Sequence, residues 1–136
     1  METKPETDFE PGQVWRVKGR LQDGDVHAAV LAVLHYEGLG FVCSVALTEV
    51  RIMNPHVAGG IQTMVPHIPI TAEMFEDAVM GLAGTGGPTA ADADFAAAYE
   101  QWRTPFEKGE AGVFTVPLAD VIELLETAIS EPKGRA

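Results

Sequence analysis

The stretch FVCSVALTEV, residues 41–50, decides the fold, because its apolar run is broken only by small or hydroxylated residues and ends in a charged one. On a strand successive side chains point to opposite faces. Phe41, Cys43, Val45 and Leu47 are therefore expected on one face, and Val42, Ser44, Ala46, Thr48 and Val50 on the other. The first set is bulky and the second is thin. Such an asymmetry predicts a central strand with a core on one side and, on the other, a close neighbour: a helix, a ligand or a second subunit.

Working outward, GQVWRVKG (12–19) alternates polar and apolar residues, whereas DVHAAVLAVLHY (25–36) is apolar on both faces. These read as one half-buried strand and one central strand. Asp23-Gly24 and the glycines of EGLG (37–40) supply the reversals of a three-stranded meander, with residues 27–34 and 41–47 paired antiparallel at its centre. RIMNPHVAGG (51–60) reads as a loop. IQTMVPHIPI (61–70) is extended but carries Pro66 and Pro69, which cannot donate to a ladder, so this fourth strand is expected at an edge.

The second half turns helical. Thr71 is placed to cap a helix over residues 72–82, with Met74, Phe75, Val79 and Leu82 as its apolar side, ending near Gly84. AGTGGPTAA (83–91) has neither the lysine nor the spacing of a nucleotide-binding loop and reads as a flexible connection. A second helix, starting at Asp92 or Asp94, sets Phe95, Ala98, Tyr99 and Trp102 on one face, with Pro105 close to its end. GVFTV (112–116) is a short strand candidate. After Pro117, the stripe of Leu118, Val121, Ile122, Leu125 and Ile129 predicts a third helix packed on the sheet. The expected class is α+β: a curved antiparallel sheet or small barrel from the N-terminal half, with three packed helices from the C-terminal half.

A chain of 136 residues, 46% hydrophobic, suits one domain with one core, its first ten residues loosely held. Cys43 is the single cysteine and sits among apolar neighbours, where a thiol is inert. The N-terminus lacks a signal-peptide core, and no apolar run approaches the ~20 residues a membrane helix needs. A soluble, cytoplasmic protein is expected. Its net charge of −11 disfavours RNA as a partner, and neither DNA nor a membrane is expected as one. The cations are uneven: none lies between Arg51 and Arg103, while Arg16, Lys18 and Arg20 alternate along one short segment.

The order PGQVWRV, AAVLAVL, FVCSVALTEV and VPHIPIT, over roughly residues 11–70, resembles the barrel half of the MazF/PemK-like toxins. Those are small SH3-like barrels that cleave single-stranded RNA without a metal. The resemblance implies an SH3-like barrel, with Thr48 as the hydroxyl residue ending the third strand. Where the family has Arg-Pro at the start of its second strand, this chain has His27-Ala28. Gln101-Trp102-Arg103-Thr104 is also similar to a later strand of that family, but the helical spacing of Phe95, Tyr99 and Trp102 predicts a helix there.

RNA cleavage of that kind needs a base, an acid and a cation near the phosphate, roles that His27, Thr48 and Arg20 could fill. Arg16, Lys18, Ser44 and Thr48 are the candidate binding residues. A metal site is not expected. His27 and His35 are separated by roughly 26 Å on a straight strand at ~3.3 Å per residue. His56 and His67 have no acidic residue near them in the chain between Glu49 and Glu73. No cofactor is expected either. The leading expectation is a non-enzymatic binding or regulatory module that meets another protein or a second copy of itself. An endoribonuclease of the toxin type comes second, and a domain with a small-molecule pocket between sheet and helices third. A continuous basic groove at Arg16, Lys18 and Arg20 would favour RNA, and an apolar patch rimmed by acids would favour a protein partner.

Overall fold

The computed structural model describes residues 7–130. Five strands, β1 (Val14–Val17), β2 (Val26–Tyr36), β3 (Gly40–Met53), β4 (Ile61–Thr71) and β5 (Val79–Gly84), and three helices, α1 (Ala72–Ala78), α2 (Ala93–Glu107) and α3 (Leu118–Ser130), give an α+β fold. The strands make one sheet in the order β4-β3-β2-β1-β5, with every neighbouring pair antiparallel. Its two ends do not meet, so the sheet is open and not a closed barrel. Among the described residues no helix is long and apolar enough to cross a membrane.

The centre of the sheet follows the apolar pattern. β2 and β3 pair from His27 opposite Thr48 to Tyr36 opposite Gly40, with Ala28 against Leu47 and Val30 against Val45 between them. Gly38 and Gly40 take φ of 82° and 84° in the reversal, a left-handed conformation open to glycine without strain. β4 lies at an edge as its prolines require. Between the pairs Val45–Ile68 and Leu47–Val65 it carries one more residue than β3, so Pro66 falls at a bulge where no ladder bond is needed.

β1 is covered on its second side by β5 and so lies inside the sheet. Two expectations are corrected. The helix expected over 72–82 ends at Ala78: the Thr71 hydroxyl caps it by accepting from the Met74 N–H at 3.4 Å, and Val79 is already extended at φ −71°, ψ 140°. Gly81 and Gly84 would each weaken a continued helix by about 1 kcal/mol relative to Ala, and the ladder to β1 satisfies the same backbone instead. Val79 and Leu82 are thus strand residues. GVFTV contributes one bridge only, Phe114 beside Ile70.

The sheet has two unlike faces. On the first, Val26, Ala28, Val30, Cys43, Val45, Leu47, Ile68 and Ile70 join Phe75 of α1 and Leu118, Val121 and Ile122 of α3 in one buried core, with Leu125 and Ile129 partly buried against it. Phe9, expected in a loosely held segment, instead joins this core, its ring 4.8 Å from Phe75 and 5.5 Å from Trp15, while residues 1–6 of that segment lie outside the described residues. On the second face, α2 lays Tyr99 and Trp102 over Val42, and Phe95 packs against Ala29, Leu31 and Ala46. Val50 was expected on this thin face but is buried in the first core. A bulge explains it: β3 has two residues more than β4 between the pairs Thr48–Met64 and Ile52–Gln62, and Glu49 takes φ 65°, which turns the alternation over. The connection 83–91 begins inside β5 and is fastened at Gly87 N–H to Gly12 C=O (2.8 Å) and Ala90 N–H to Leu31 C=O (3.0 Å).

Candidate functional site

α2 covers only part of the second face. Beyond its reach, register places Arg16 of β1, His27 of β2, Thr48 of β3 and Met64 of β4 in one row across four strands. Neighbouring strands are about 4.8 Å apart, so His27 and Thr48 stand side by side. Thr48 is exposed and His27 half-buried. The Glu49 carboxylate, thrown outward by the bulge, comes 3.5 Å from His27 Nδ1. A non-glycine residue at positive φ is uncommon and costs on the order of 1–2 kcal/mol, so the local fold holds Glu49 where the chain alone would not.

Arg16 and Arg20 are not gathered here. Arg16 is exposed, but its guanidinium lies over Gly81, where a Cβ would come 3.1 Å from Nη2. It leans over β5, away from His27. Arg20 is corrected outright as a catalytic candidate. Its side chain, 7% exposed, binds Asp23 at 3.0 Å and reaches Glu123 and Glu126 of α3 at 3.0 Å each, and it also donates to the Arg51 carbonyl at 2.9 Å. The hydrogen bond to Asp23, helped by the two glutamates, holds the guanidinium charged well above its ordinary range. Burial pushes the Asp23 carboxyl up, but the bonds from Arg20 and from the Arg51 N–H outweigh it and hold it below the usual range. Glu126 accepts from the Met53 N–H at 2.7 Å and is held low in turn. This network clamps α3 to the sheet. It leaves no free charge for a phosphate.

Ser44 is corrected as a binding residue. It is buried, and its hydroxyl bonds His67 Nε2 at 2.9 Å beneath α2. The His67 ring meets Trp102 at 5.3 Å and Tyr99 at 5.8 Å, and burial pulls its pKa down to about 4. His67 is therefore neutral near pH 7 and structural. Cys43, fully buried, has its thiol pushed up to about 12 by burial, which keeps it inert. Lys18 stays exposed and lines, with Arg16, Arg20, Asp25 and Met80, a small depression of about 220 Å³, in which Arg20 is already held by Asp23.

A wider depression of about 830 Å³ opens beside Thr48, with Asp25, Glu49, Arg51, Ile61 and Met64 on its wall. Around it three large apolar side chains face solvent: Met53 (60% exposed) and Ile61 (45%), which are register partners, and Met64 (38%), opposite Thr48. Asp25 and Glu49 border them. Sequence reading missed this trio, although Met53 and Ile61 are the apolar residues on either side of the Asn-Pro and Gly-Gly punctuation. Another depression, about 880 Å³, lies beside α1 and is walled by Asp8, Glu73, Glu76 and Asp77. It holds none of the candidate side chains. Among the described residues no three His, Cys, Asp or Glu side chains gather as a metal site. Family models, curated proteins and solved structures offer no match to this chain.

Proposed function

We propose that the protein is a non-enzymatic binding or regulatory module that contacts another protein through the open end of the second sheet face. The observation that carries this reading is exposed Ile61 and Met64 on one wall with Asp25, Glu49 and Arg51, with exposed Met53 as the register partner of Ile61. Single exposed apolar residues are ordinary, but a contiguous set rimmed by charge marks a contact surface. Two of the three are methionines, whose unbranched chains adapt to varied partners. The matching segment carries an aliphatic or aromatic anchor flanked by Lys or Arg, which would meet the two border carboxylates. The network holding Arg20 and the lean of Arg16 over Gly81 support a binding role over a catalytic one.

The second reading is a metal-independent endoribonuclease of the MazF/PemK type. One observation favours it: His27 and Thr48 are register partners, and both reach solvent. It ranks second because the cation on the wall beside Thr48, Arg51, stands between the carboxylates of Asp25 and Glu49, which offset it for a phosphate.

Selection of a displayed random peptide library on the wild-type protein tests the first reading. Enriched peptides are expected to pair an apolar anchor with Lys or Arg, and to lose binding to a protein carrying Met53→Ser, Ile61→Ser and Met64→Ser while keeping it to His27→Ala. Peptides that bind the triple variant as well as the wild type would refute the assignment of the surface.

A further inference from the structure

The two edges of the sheet are guarded very differently. β4 carries Pro66 and Pro69, its Met64 carbonyl accepts from the Gln62 side chain at 2.7 Å, and Phe114 closes its far end by bonding the Pro69 C=O and the Thr71 N–H. These are ordinary devices against unwanted strand pairing. β5 has none of them. Val79–Gly84 contains no proline and no charge, Met80 and Leu82 are 62% and 50% exposed, and the ladder to β1 uses one side only. Among the described residues no backbone bond outside that ladder reaches residues 80–84.

We propose that the outer edge of β5 pairs with β5 of a second copy of this chain, antiparallel about a two-fold axis, so that two five-stranded sheets become one. An antiparallel edge is its own complement, which is what an isologous contact requires. Charge argues for the same occupant. Two chains at −11 repel each other, and residues 78–91 form a segment without a single Asp, Glu, Lys or Arg. Arg16 of β1 and Lys18 just after it, bonded through its N–H to Ala78 C=O, are exposed beside this strand and lower the local negative potential where two copies approach. β5 slips in register against β1 at two points, which bows the strand but places no neighbour on its outer side. Met80 and Leu82, half-exposed in one copy, gain cover in the pair.

Sedimentation over a dilution series tests this with the full chain. The wild type should reach twice the chain mass at high concentration. Added salt should tighten the pair, because it screens like-charge repulsion and breaks no ion pair. Met80→Lys combined with Leu82→Lys should weaken self-association by about tenfold or more, equivalent to 1.4 kcal/mol or more. Met80→Lys alone serves if the double variant does not fold, and Met64→Lys, on the surface assigned to another protein, should leave the mass unchanged. A wild type that stays monomeric at all concentrations and salts would overturn the proposal. So would a dimer that survives the lysines on β5 or is lost with Met64→Lys.

Discussion

The two faces of the sheet divide the work of the molecule. The first is packed along its length by α1 and α3, and Phe75, Leu118 and Ile122 are at or within 1% of full burial. The second is covered by α2 over Val42, Ser44 and Ala46, then stops, leaving Thr48, Ile61 and Met64 in solvent. Small side chains let a helix come close. Where the helix ends, nothing in the described chain takes its place. One face therefore supplies stability, while the other splits between packing and a surface free to act.

The largest expected effect lies on the packed face. Phe75→Ala should cost about 3–5 kcal/mol in urea unfolding, through lost burial and the cavity left behind. A loss below about 1 kcal/mol would erase the distinction between the faces. Arg20→Ala comes next, at about 3 kcal/mol, because it strands the fully buried Asp23 carboxylate without its partner. If Arg20→Ala leaves stability unchanged, the clamp is not structural and Arg20 returns as a candidate for binding an anion.

A pH titration sharpens the middle ground beneath α2. His67 is held neutral by burial, with its pKa down at about 4 against 6.5 for the free side chain. Below pH 6.5 the unfolded chain takes up a proton that the folded one refuses. Stability from this site is therefore full above 6.5, falls as pH drops toward 4, and levels off below. The Ser44 hydroxyl and the rings of Tyr99 and Trp102 are what face the imidazole. His67→Gln should flatten the difference in unfolding midpoint across that window. An unchanged slope would mean the ring is solvated and α2 is not seated as described.

Much of this architecture could be read from the chain. β2 and β3 announce themselves as long runs apolar on both faces, Pro66 and Pro69 send β4 to an edge, and the stripes of α2 and α3 have a helical period. What could not be read depends on tertiary context. Val79 and Leu82 continue the spacing of Met74 and Phe75, so β5 hides inside a helical pattern until β1 offers it a ladder. Val50 changes face because Glu49 adopts a left-handed conformation that its residue type does not signal. Arg20 and Asp23 are three apart and their pairing is local, but Glu123 and Glu126 join from more than a hundred residues away. At the site, the expected pairing of 27–34 with 41–47 brings His27 near the end of β3, and the observed register sets it opposite Thr48. The direction of Arg16 depends on Gly81, from a strand the pattern concealed.

The smallest expected effects belong to the open end, where His27→Ala and Thr48→Ala should each change stability by no more than about 0.5 kcal/mol. That leaves both variants folded for the decisive experiment, which asks whether this surface binds or cleaves. Purified protein is incubated with mixed-sequence single-stranded RNA at low salt and without metal. If the surface serves protein contact, the RNA stays intact with the wild type, because the net charge repels it and Asp25 and Glu49 offset Arg51, the cation beside Thr48. Cleavage by the wild type that is lost in both His27→Ala and Thr48→Ala would contradict the binding role and make the toxin-type nuclease the correct reading.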